Sequence, residues 1–109
     1  MVLGLESCHA QGVIHRDLKL ENILFETKAH TKIKIVDFGI AGMCKPDMHE
    51  KNDAGTLRYM APEVLSNYHT VANPALDVWA LGIMLYSMIF RKFPFNGDTS
   101  SEIKKNIIN

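Results

Sequence analysis

One apolar segment, residues 75–90, constrains the fold of this chain more than any other feature. It reads Ala-Leu-Asp-Val-Trp-Ala-Leu-Gly-Ile-Met-Leu-Tyr-Ser-Met-Ile-Phe and is apolar almost all the way round a helix. Asn73 offers an N-cap and Pro74 a first helical position directly before it. The segment is too short to span a bilayer, and Arg91 and Lys92 follow it. It therefore predicts a buried helix at the centre of a core.

The length and charge of the chain limit what this core can belong to. A chain of 109 residues can form one core but not two complete lobes. Its 12 Lys and Arg balance 12 Asp and Glu, so it has no cationic excess for nucleic acid. There is no secretory signal pattern, and the two cysteines have neither the number nor the spacing of a disulfide framework or a zinc site. We expect free thiols in a reducing compartment, the cytoplasm or nucleus, no nucleic-acid partner and no membrane span.

The rest of the chain contains both helical and strand patterns. Apolar residues between Leu3 and His9 suggest the last turns of an amphipathic helix that Gly12 ends. Residues 23–25 are apolar, and residues 32–36 alternate between polar and apolar, so two short strands around a turn suggest a hairpin with one buried face. The predicted fold class is mainly α with a short β-hairpin.

Two further segments have clear signals. Between Gly39 and Ala61 no period is sustained, and turn-forming residues are frequent, which is typical of a long functional loop. After it, Thr99 and Glu102 match a capping box that opens a helix with Ile103 and Ile107 on one face. No repeat or linker divides the chain into separate domains.

Three polar motifs occur between these elements, in a fixed order. Residues 15–22 read His-Arg-Asp-Leu-Lys-Leu-Glu-Asn, residues 37–39 read Asp-Phe-Gly, and residues 61–63 read Ala-Pro-Glu. The first follows a short apolar stretch, the second follows the alternating strand, and the third closes the long loop. In this order and context they resemble the catalytic loop, metal-binding turn and activation-segment end of protein kinases.

The resemblance covers nearly the whole chain and implies a partial domain. Residues 1–109 would be the central part of the large C-terminal lobe of the α+β protein-kinase fold. They would run from the end of helix E through the catalytic loop, activation segment and central helix to the start of helix G. No Gly-rich phosphate loop or Val-Ala-Ile-Lys strand precedes His15. We therefore expect the N-terminal lobe to be absent from this chain.

The resemblance also assigns roles to individual residues. Asp17 would orient the substrate hydroxyl and accept its proton, and Lys19 would place an ammonium near the transferring phosphate of ATP. Thr56 would bind both of these side chains. Asn22 and Asp37 would coordinate Mg²⁺. The predicted cofactor-binding set is Lys19, Glu21, Asn22, Leu24 and Asp37, with Glu21 reading substrate side chains in many relatives and Leu24 lining the adenine site. A solvated loop residue is the ordinary alternative for each polar member, and a core leucine for Leu24.

Further residues resemble structural positions of the family. His15 would pack under the metal-binding turn, and Arg16 would face a charged group on the activation segment. Asp77 would accept hydrogen bonds from the catalytic-loop backbone, although the helix dipole alone would also favour an acid there.

No hydroxyl residue lies between Ile40 and Gly55, where many kinases are phosphorylated. We hypothesise that Asp53 or Glu50 supplies a constant negative charge to Arg16 instead.

The implied function is phosphoryl transfer from Mg-ATP to protein Ser or Thr hydroxyls in the complete enzyme. Lys19 and the Gly55-Thr56 pair resemble Ser/Thr rather than Tyr kinases, and residues 93–95 resemble the calcium/calmodulin-dependent and AMP-activated groups. The alternatives are a non-catalytic kinase-like interaction module and a truncated fragment without activity. We expect little or no turnover from the isolated chain.

Overall fold

A computed structural model of the chain describes residues 1–36, 57–66 and 73–109. These residues are mostly helical, with one small antiparallel sheet. A short 3-10 turn, Leu20–Asn22, leads into the first strand. In chain order the elements are α1 (Val2–Ala10), β1 (Ile23–Phe25), β2 (Ile33–Ile35), α2 (Pro62–Ser66), α3 (Pro74–Phe90) and α4 (Ser100–Ile108).

The predicted hairpin is confirmed, but its buried face is incomplete. Strands β1 and β2 pair antiparallel, with Ile23 opposite Ile35 and Phe25 opposite Ile33. Ile35 is partly buried and packs against the core, whereas Ile33 is 39% exposed. A two-stranded ribbon twists strongly, so residues two apart along β2 do not reach the same neighbours here.

Helix α1 ends as the sequence predicts, at a glycine. Gly12 has a φ of +75°, where a side chain would be strained. Its amide donates to the carbonyl of His9, and the amide of Val13 donates to that of Cys8, which caps the last turn. The expected amphipathic face is narrower than predicted, because Leu5 is buried while Leu3 is 79% exposed.

Helix α3 forms where the sequence places it, with the predicted cap. The side chain of Asn73 accepts a hydrogen bond from the amide of Ala75 at 2.8 Å, and Arg91 ends the helix in a left-handed conformation. The expectation of burial all round is wrong for the described residues. One face is buried, and the opposite face is solvent-exposed at Val78, Leu85 and Ile89, because the described neighbours of α3 pack on one side only. The buried residues are Asp77, Ala80, Ile83 and Met84.

Helix α4 opens with a variant of the predicted capping box. The hydroxyl of Thr99 accepts from the amide of Glu102 at 3.2 Å, as expected. The Glu102 carboxylate accepts from the amide of Asp98 at 2.7 Å, one residue before the usual partner. Ile103 and Ile107 are both buried, so the predicted apolar face is confirmed.

Two buried clusters form the core. Trp79 and Phe95 pack against both clusters and stack on each other with 6.1 Å between ring centroids. None of the helices in the described parts of the chain combines the length and apolar character needed to cross a membrane. The first cluster is Leu5, Leu18, Tyr59, Ala80, Ile83 and Met84, and the second is Leu57, Leu65, Ile103 and Ile107.

Candidate active site

The segment between α1 and β1, residues 13–22, is held at its centre by one carboxylate, that of Asp77. The amide of His15 donates to Asp77 Oδ2 at 2.8 Å, and the amide of Arg16 donates to Asp77 Oδ1 at 2.9 Å. Asp77 lies in the first turn of α3 and is 1% exposed. The predicted hydrogen bonds from this segment to Asp77 are therefore present. We call residues 13–22 the polar loop.

The backbone of the polar loop is strained at Arg16. Its φ is +72°, a region that residues with a side chain seldom occupy. Such a conformation costs on the order of 1–3 kcal/mol and persists where surrounding contacts fix it. The paired bonds to Asp77 supply such contacts. They hold the turn that leads into Asp17.

His15 is fully buried, and both of its ring nitrogens are engaged. Nε2 lies 2.8 Å from the carbonyl oxygen of Val36, and Nδ1 accepts from the amide of Asp17 at 3.1 Å. A carbonyl oxygen only accepts, so Nε2 carries the hydrogen. This neutral tautomer joins the polar loop to the residue just before Asp37. With both ring nitrogens engaged, His15 is unsuited to be a general base. Its predicted packing under residues 37–39 concerns residues outside the described part of the chain and stays a prediction.

Three of the predicted site residues lie together in the polar loop. Lys19 Nζ is 3.8 Å from Asp17 Oδ2, with both side chains about four-fifths buried. The side-chain amide of Asn22 donates to the backbone carbonyl of Asp17 at 2.8 Å, and Asn22 is 6% exposed. In addition, the carbonyl of Asn22 accepts from the amide of Val36 at 2.8 Å. The loop thus brings a carboxylate, an ammonium and an amide into one small region.

The other predicted site residues are less closely defined. Glu21 is exposed on the 3-10 turn, and Leu24 is 51% exposed on β1. Asp37 and Thr56 lie outside the described residues. So do the Asp-Phe-Gly motif as a whole and the two acids, Glu50 and Asp53, of the charge hypothesis. Their assignments stay predictions.

Tyr59 supports the polar loop from the segment before α2. It is 5% exposed, and its hydroxyl accepts from the amide of Leu20 at 3.5 Å. The Tyr59 ring packs edge to face against Phe93, with 5.4 Å between the ring centroids. The Arg58 guanidinium lies 5.1 Å from the centre of the same Phe93 ring. Burial raises the pKa of the Tyr59 hydroxyl above its ordinary value of 10.0. This supporting role of Tyr59 was not predicted from the sequence.

His9 is a second residue whose contact the sequence did not reveal. Its Nε2 lies 2.9 Å from Asp77 Oδ2. The two residues are 68 positions apart, so no local spacing rule could have paired them. A polar residue in the last turn of α1 was the available signal, and such residues are common at helix ends.

A cavity of about 130 Å³ borders Asp17. Its lining is mostly apolar, including Leu18, Met60 and Val64, and Tyr59 closes part of it. Asp17 therefore lies at a concave surface large enough for a small side chain. Sites that bind a substrate commonly combine a carboxylate with an apolar cavity.

The donor atoms in the polar loop fit a hard cation. Among the described residues no group of three His, Cys, Asp or Glu side chains lies together as a metal site. The Asn22 amide nitrogen donates to the backbone carbonyl of Asp17, so Oδ1 is the atom of this side chain that could bind a cation. Amide and carboxylate oxygens are the ligands that Mg²⁺ takes.

Comparison with known proteins identifies the family. The protein kinase domain matches residues 1–109, the entire chain. The chain belongs to the protein kinase family. The polar loop is the segment that resembles the catalytic loop of this family, and α3 is the segment that resembles its central helix.

Several curated protein kinases are similar to this chain. Calcium-dependent protein kinase 6 of Plasmodium berghei is 41% identical over 93% of the chain. The carbon catabolite-derepressing protein kinase of Saccharomyces cerevisiae is 38% identical over 100% of it. Calcium-dependent protein kinase 21 of Oryza sativa is 40% identical over 95% of it. The chain spans 7%, 17% and 18% of the length of these three relatives, respectively.

Proposed function

We propose that this chain carries the catalytic loop of a serine/threonine protein kinase, which transfers a phosphoryl group from Mg-ATP to protein hydroxyls. The observation that supports this most is the polar cluster of the loop. There Asp17, Lys19 and Asn22 lie together on a backbone that is fixed by Asp77. Such fixed positioning is what phosphoryl transfer requires of a protein.

Asp17 is the proposed general base. In the reaction the oxygen of a Ser or Thr hydroxyl forms a bond to the γ-phosphorus of ATP, and the bond from that phosphorus to ADP breaks. The hydroxyl proton passes to the Asp17 carboxylate. The cavity beside Asp17 gives a substrate side chain room to approach, and the bond from Asn22 to the Asp17 carbonyl holds the base in place.

Lys19 is proposed to stabilise the charge of the transferring phosphoryl group. Its ammonium lies 3.8 Å from the Asp17 carboxylate, so it can contact both the base and an oxygen of the γ-phosphate. A positive charge held in place before the reaction favours the transition state, in which negative charge spreads over the phosphoryl oxygens.

Asn22 and Asp37 are the proposed ligands of Mg²⁺. The Asn22 amide is oriented by its bond to the Asp17 carbonyl, which directs Oδ1 to the ligand role. When bound, Mg²⁺ neutralises the phosphate charges of ATP. His15 and Asn22 both bond to Val36, the residue before Asp37, so the two proposed ligands are joined through a short stretch of backbone.

The finer assignments follow the motifs. Glu21 and Leu24 are proposed to contact the substrate and the adenine, respectively, and Thr56 to bind Asp17 and Lys19. Residues 1–109 would extend from the end of helix E to the start of helix G of a kinase domain.

The names of two relatives, calcium-dependent protein kinases, agree with the proposed calcium/calmodulin-dependent group. With a free thiol at Cys8, we also propose an intracellular location.

A phosphotransfer assay tests the proposal. The natural gene product that contains residues 1–109 is incubated with Mg²⁺, γ-labelled ATP and a mixture of Ser- and Thr-containing peptides. We expect labelled peptide, and Asp17→Asn should lower kcat by at least about 100-fold. Asp98→Asn, an exposed acid at the start of α4, is the matched control and should leave kcat unchanged.

The outcomes separate the candidate functions. Equal rates for wild type and Asp17→Asn would contradict the role of Asp17. An absence of labelling together with intact folding would instead favour the kinase-like interaction module. We expect residues 1–109 alone to give little turnover in the same assay, because the Gly-rich loop and the lysine strand on which phosphate binding depends in this family are not in its sequence.

A further inference from the structure

No salt bridge among the described residues neutralises the positive charge of Arg58. Its guanidinium carbon lies over the Phe93 ring, 5.1 Å from the ring centre. Its Nε is buried and has no hydrogen-bond partner in the described parts of the chain. A guanidinium has five N–H donors, no acceptor and a permanent charge. These residues therefore provide this cation with an aromatic support and with no anionic partner.

The Phe93 ring holds the guanidinium in position. A cation is attracted to the face of an aromatic ring, and arginine forms this contact more often than lysine. The ring is itself fixed by Tyr59, which packs edge to face against it. An arginine held on a ring can still donate two parallel hydrogen bonds to a carboxylate or a phosphate group. Arg58 is only partly buried, so an anion can approach it from solvent.

Arg58 lies beside the candidate active site. Tyr59, the next residue, lines the cavity that borders Asp17, and its hydroxyl accepts from the amide of Leu20. Burial raises the pKa of this hydroxyl, the charge of Glu21 raises it further, and the charge of Arg58 lowers it. The charges of Glu21 and Arg58 therefore act at the same point, where the polar loop meets the segment before α2.

Positive charge predominates around this point. Arg91 and Lys92 directly precede Phe93 in the chain, and both are exposed. The carboxylate of Glu21 would by itself attract a basic side chain, but the Arg58 guanidinium near the same Tyr59 hydroxyl opposes this. A surface with more positive than negative charge attracts anionic groups.

We propose that Arg58 binds a negatively charged side chain of the protein substrate, which carries either a carboxylate or a phosphate group. The substrate class is then a protein with an anionic residue near the acceptor Ser or Thr. Arg58 would determine this preference by direct contact with the substrate. The substrate class rests on the proposed function, whereas anion binding by Arg58 does not.

Matched peptides test the proposal with the natural gene product. Each peptide has one acceptor serine, and Glu, Gln, Lys or phosphoserine is placed in turn at every other position. At a position that contacts Arg58 we expect kcat/KM to be about tenfold higher with Glu than with Gln, the size of one hydrogen bond between charged groups. A higher kcat/KM with phosphoserine than with Glu would identify a phosphate as the preferred anion.

Substitutions of Arg58 should change this ratio in a defined direction. Arg58→Gln should use the Glu and Gln peptides equally, and Arg58→Glu should prefer the Lys peptide at the same position. Each ratio compares two peptides on one enzyme sample, so partial unfolding of a variant does not alter it. Lys28→Gln removes the same charge from the exposed turn between β1 and β2 and should keep the wild-type ratio.

Two results would overturn the proposal. The first is equal use of the Glu, Gln and Lys peptides by wild type at every position. The second is the same charge preference in wild type and in Arg58→Glu, because the preference would then come from another residue.

Peptides without an acceptor hydroxyl separate this proposal from the proposed function. Alanine replaces the serine, and fluorescence anisotropy measures binding of the labelled Glu peptide. Its Kd should be about tenfold lower for wild type than for Arg58→Gln. If this difference is found but no serine peptide is phosphorylated, the kinase function fails and anion binding by Arg58 stands. If peptides are phosphorylated without any charge preference, the kinase function stands and the role of Arg58 is wrong.

Discussion

Two buried polar side chains, those of Tyr59 and His15, form hydrogen bonds with the backbone of the polar loop and of Val36. The Tyr59 hydroxyl meets the amide of Leu20, and the His15 ring meets the backbone at Val36 and Asp17. Each of these groups is buried beside apolar side chains. Burial raises the pKa of the Tyr59 hydroxyl, so its protonation state is linked to folding.

Replacing Tyr59 by Phe tests this link through pH. Burial raises the pKa of the Tyr59 hydroxyl above 10.0, so the folded chain binds the phenolic proton more tightly than the unfolded chain does. The corresponding stability is present below pH 10.0 and is lost as pH rises through the folded-state pKa. We expect Tyr59→Phe to lose less stability than wild type between about pH 8 and pH 11 in urea unfolding.

The control for this prediction is Tyr86→Phe, which removes a hydroxyl from a partly buried position on α3. It measures how much of any change at high pH comes from removing a tyrosine hydroxyl elsewhere in the chain. Near neutral pH, Tyr59→Phe should cost at most about 1 kcal/mol, because the bond to Leu20 is long. Parallel stability curves for wild type and Tyr59→Phe above pH 10.0 would show that Tyr59 does not titrate as its burial requires.

At the scale of elements, the helix ends were the most predictable features. Asn73 before Pro74, Gly12 after α1 and Thr99 before α4 each act through backbone groups within a few residues, so local sequence is sufficient to identify them. The strands were found for the same reason, from alternation along residues 32–36. Which face of α3 is buried depends on its neighbours, and its nearly uniform apolar sequence carried no information about that.

The cap of α3 connects this element to the active site. Asn73 Oδ1 accepts from the amide of Ala75 at 2.8 Å, and Asp77 follows within the same first turn. We expect Asn73→Ala to lower the free energy of unfolding by about 1 kcal/mol, because the amide loses its partner. Asn73→Asp keeps an acceptor at this position and should stay within about 0.5 kcal/mol of wild type.

Urea unfolding of the two Asn73 variants measures the difference. Amide exchange at Ala75 should rise in Asn73→Ala and not in Asn73→Asp, which locates the loss at the cap. If both variants unfolded at the same urea concentration, the side-chain cap would have no measurable role in α3.

Across the whole molecule, contacts between distant parts of the chain account for what the sequence did not predict. The motif around Asp17 and the loop-holding role of Asp77 could be inferred, because both follow recognisable residue patterns. The bond from His9 to Asp77 and the packing of Tyr59 under Leu20 join segments 68 and 39 positions apart. Such pairs depend on how the helices pack, and no periodicity in a single sequence encodes this. The roles of Asp37 and Thr56, outside the described residues, stay predictions.

Because the first core cluster includes Leu18 of the polar loop, the stability of the whole molecule depends on the face of α3 that packs against this cluster. Met84 is 0% exposed and packs in the cluster that includes Leu18 of the loop and Leu5 of α1. Met84→Ala should therefore lower the free energy of unfolding by about 2–5 kcal/mol, since it leaves a cavity among three segments. Met88, one turn later, is 47% exposed, and Met88→Ala should cost less than about 1 kcal/mol.

The two methionine variants test whether α3 stabilises the fold mainly through its buried face. Both substitutions remove the same atoms and raise helix propensity equally, so the difference between their urea midpoints measures burial alone. In Met84→Ala the amides of the polar loop should also lose protection from hydrogen exchange, because Leu18 loses a packing partner within the same cluster. Equal midpoints would mean that the exposed face of α3 contributes as much to stability as the buried one, and would contradict the one-sided core.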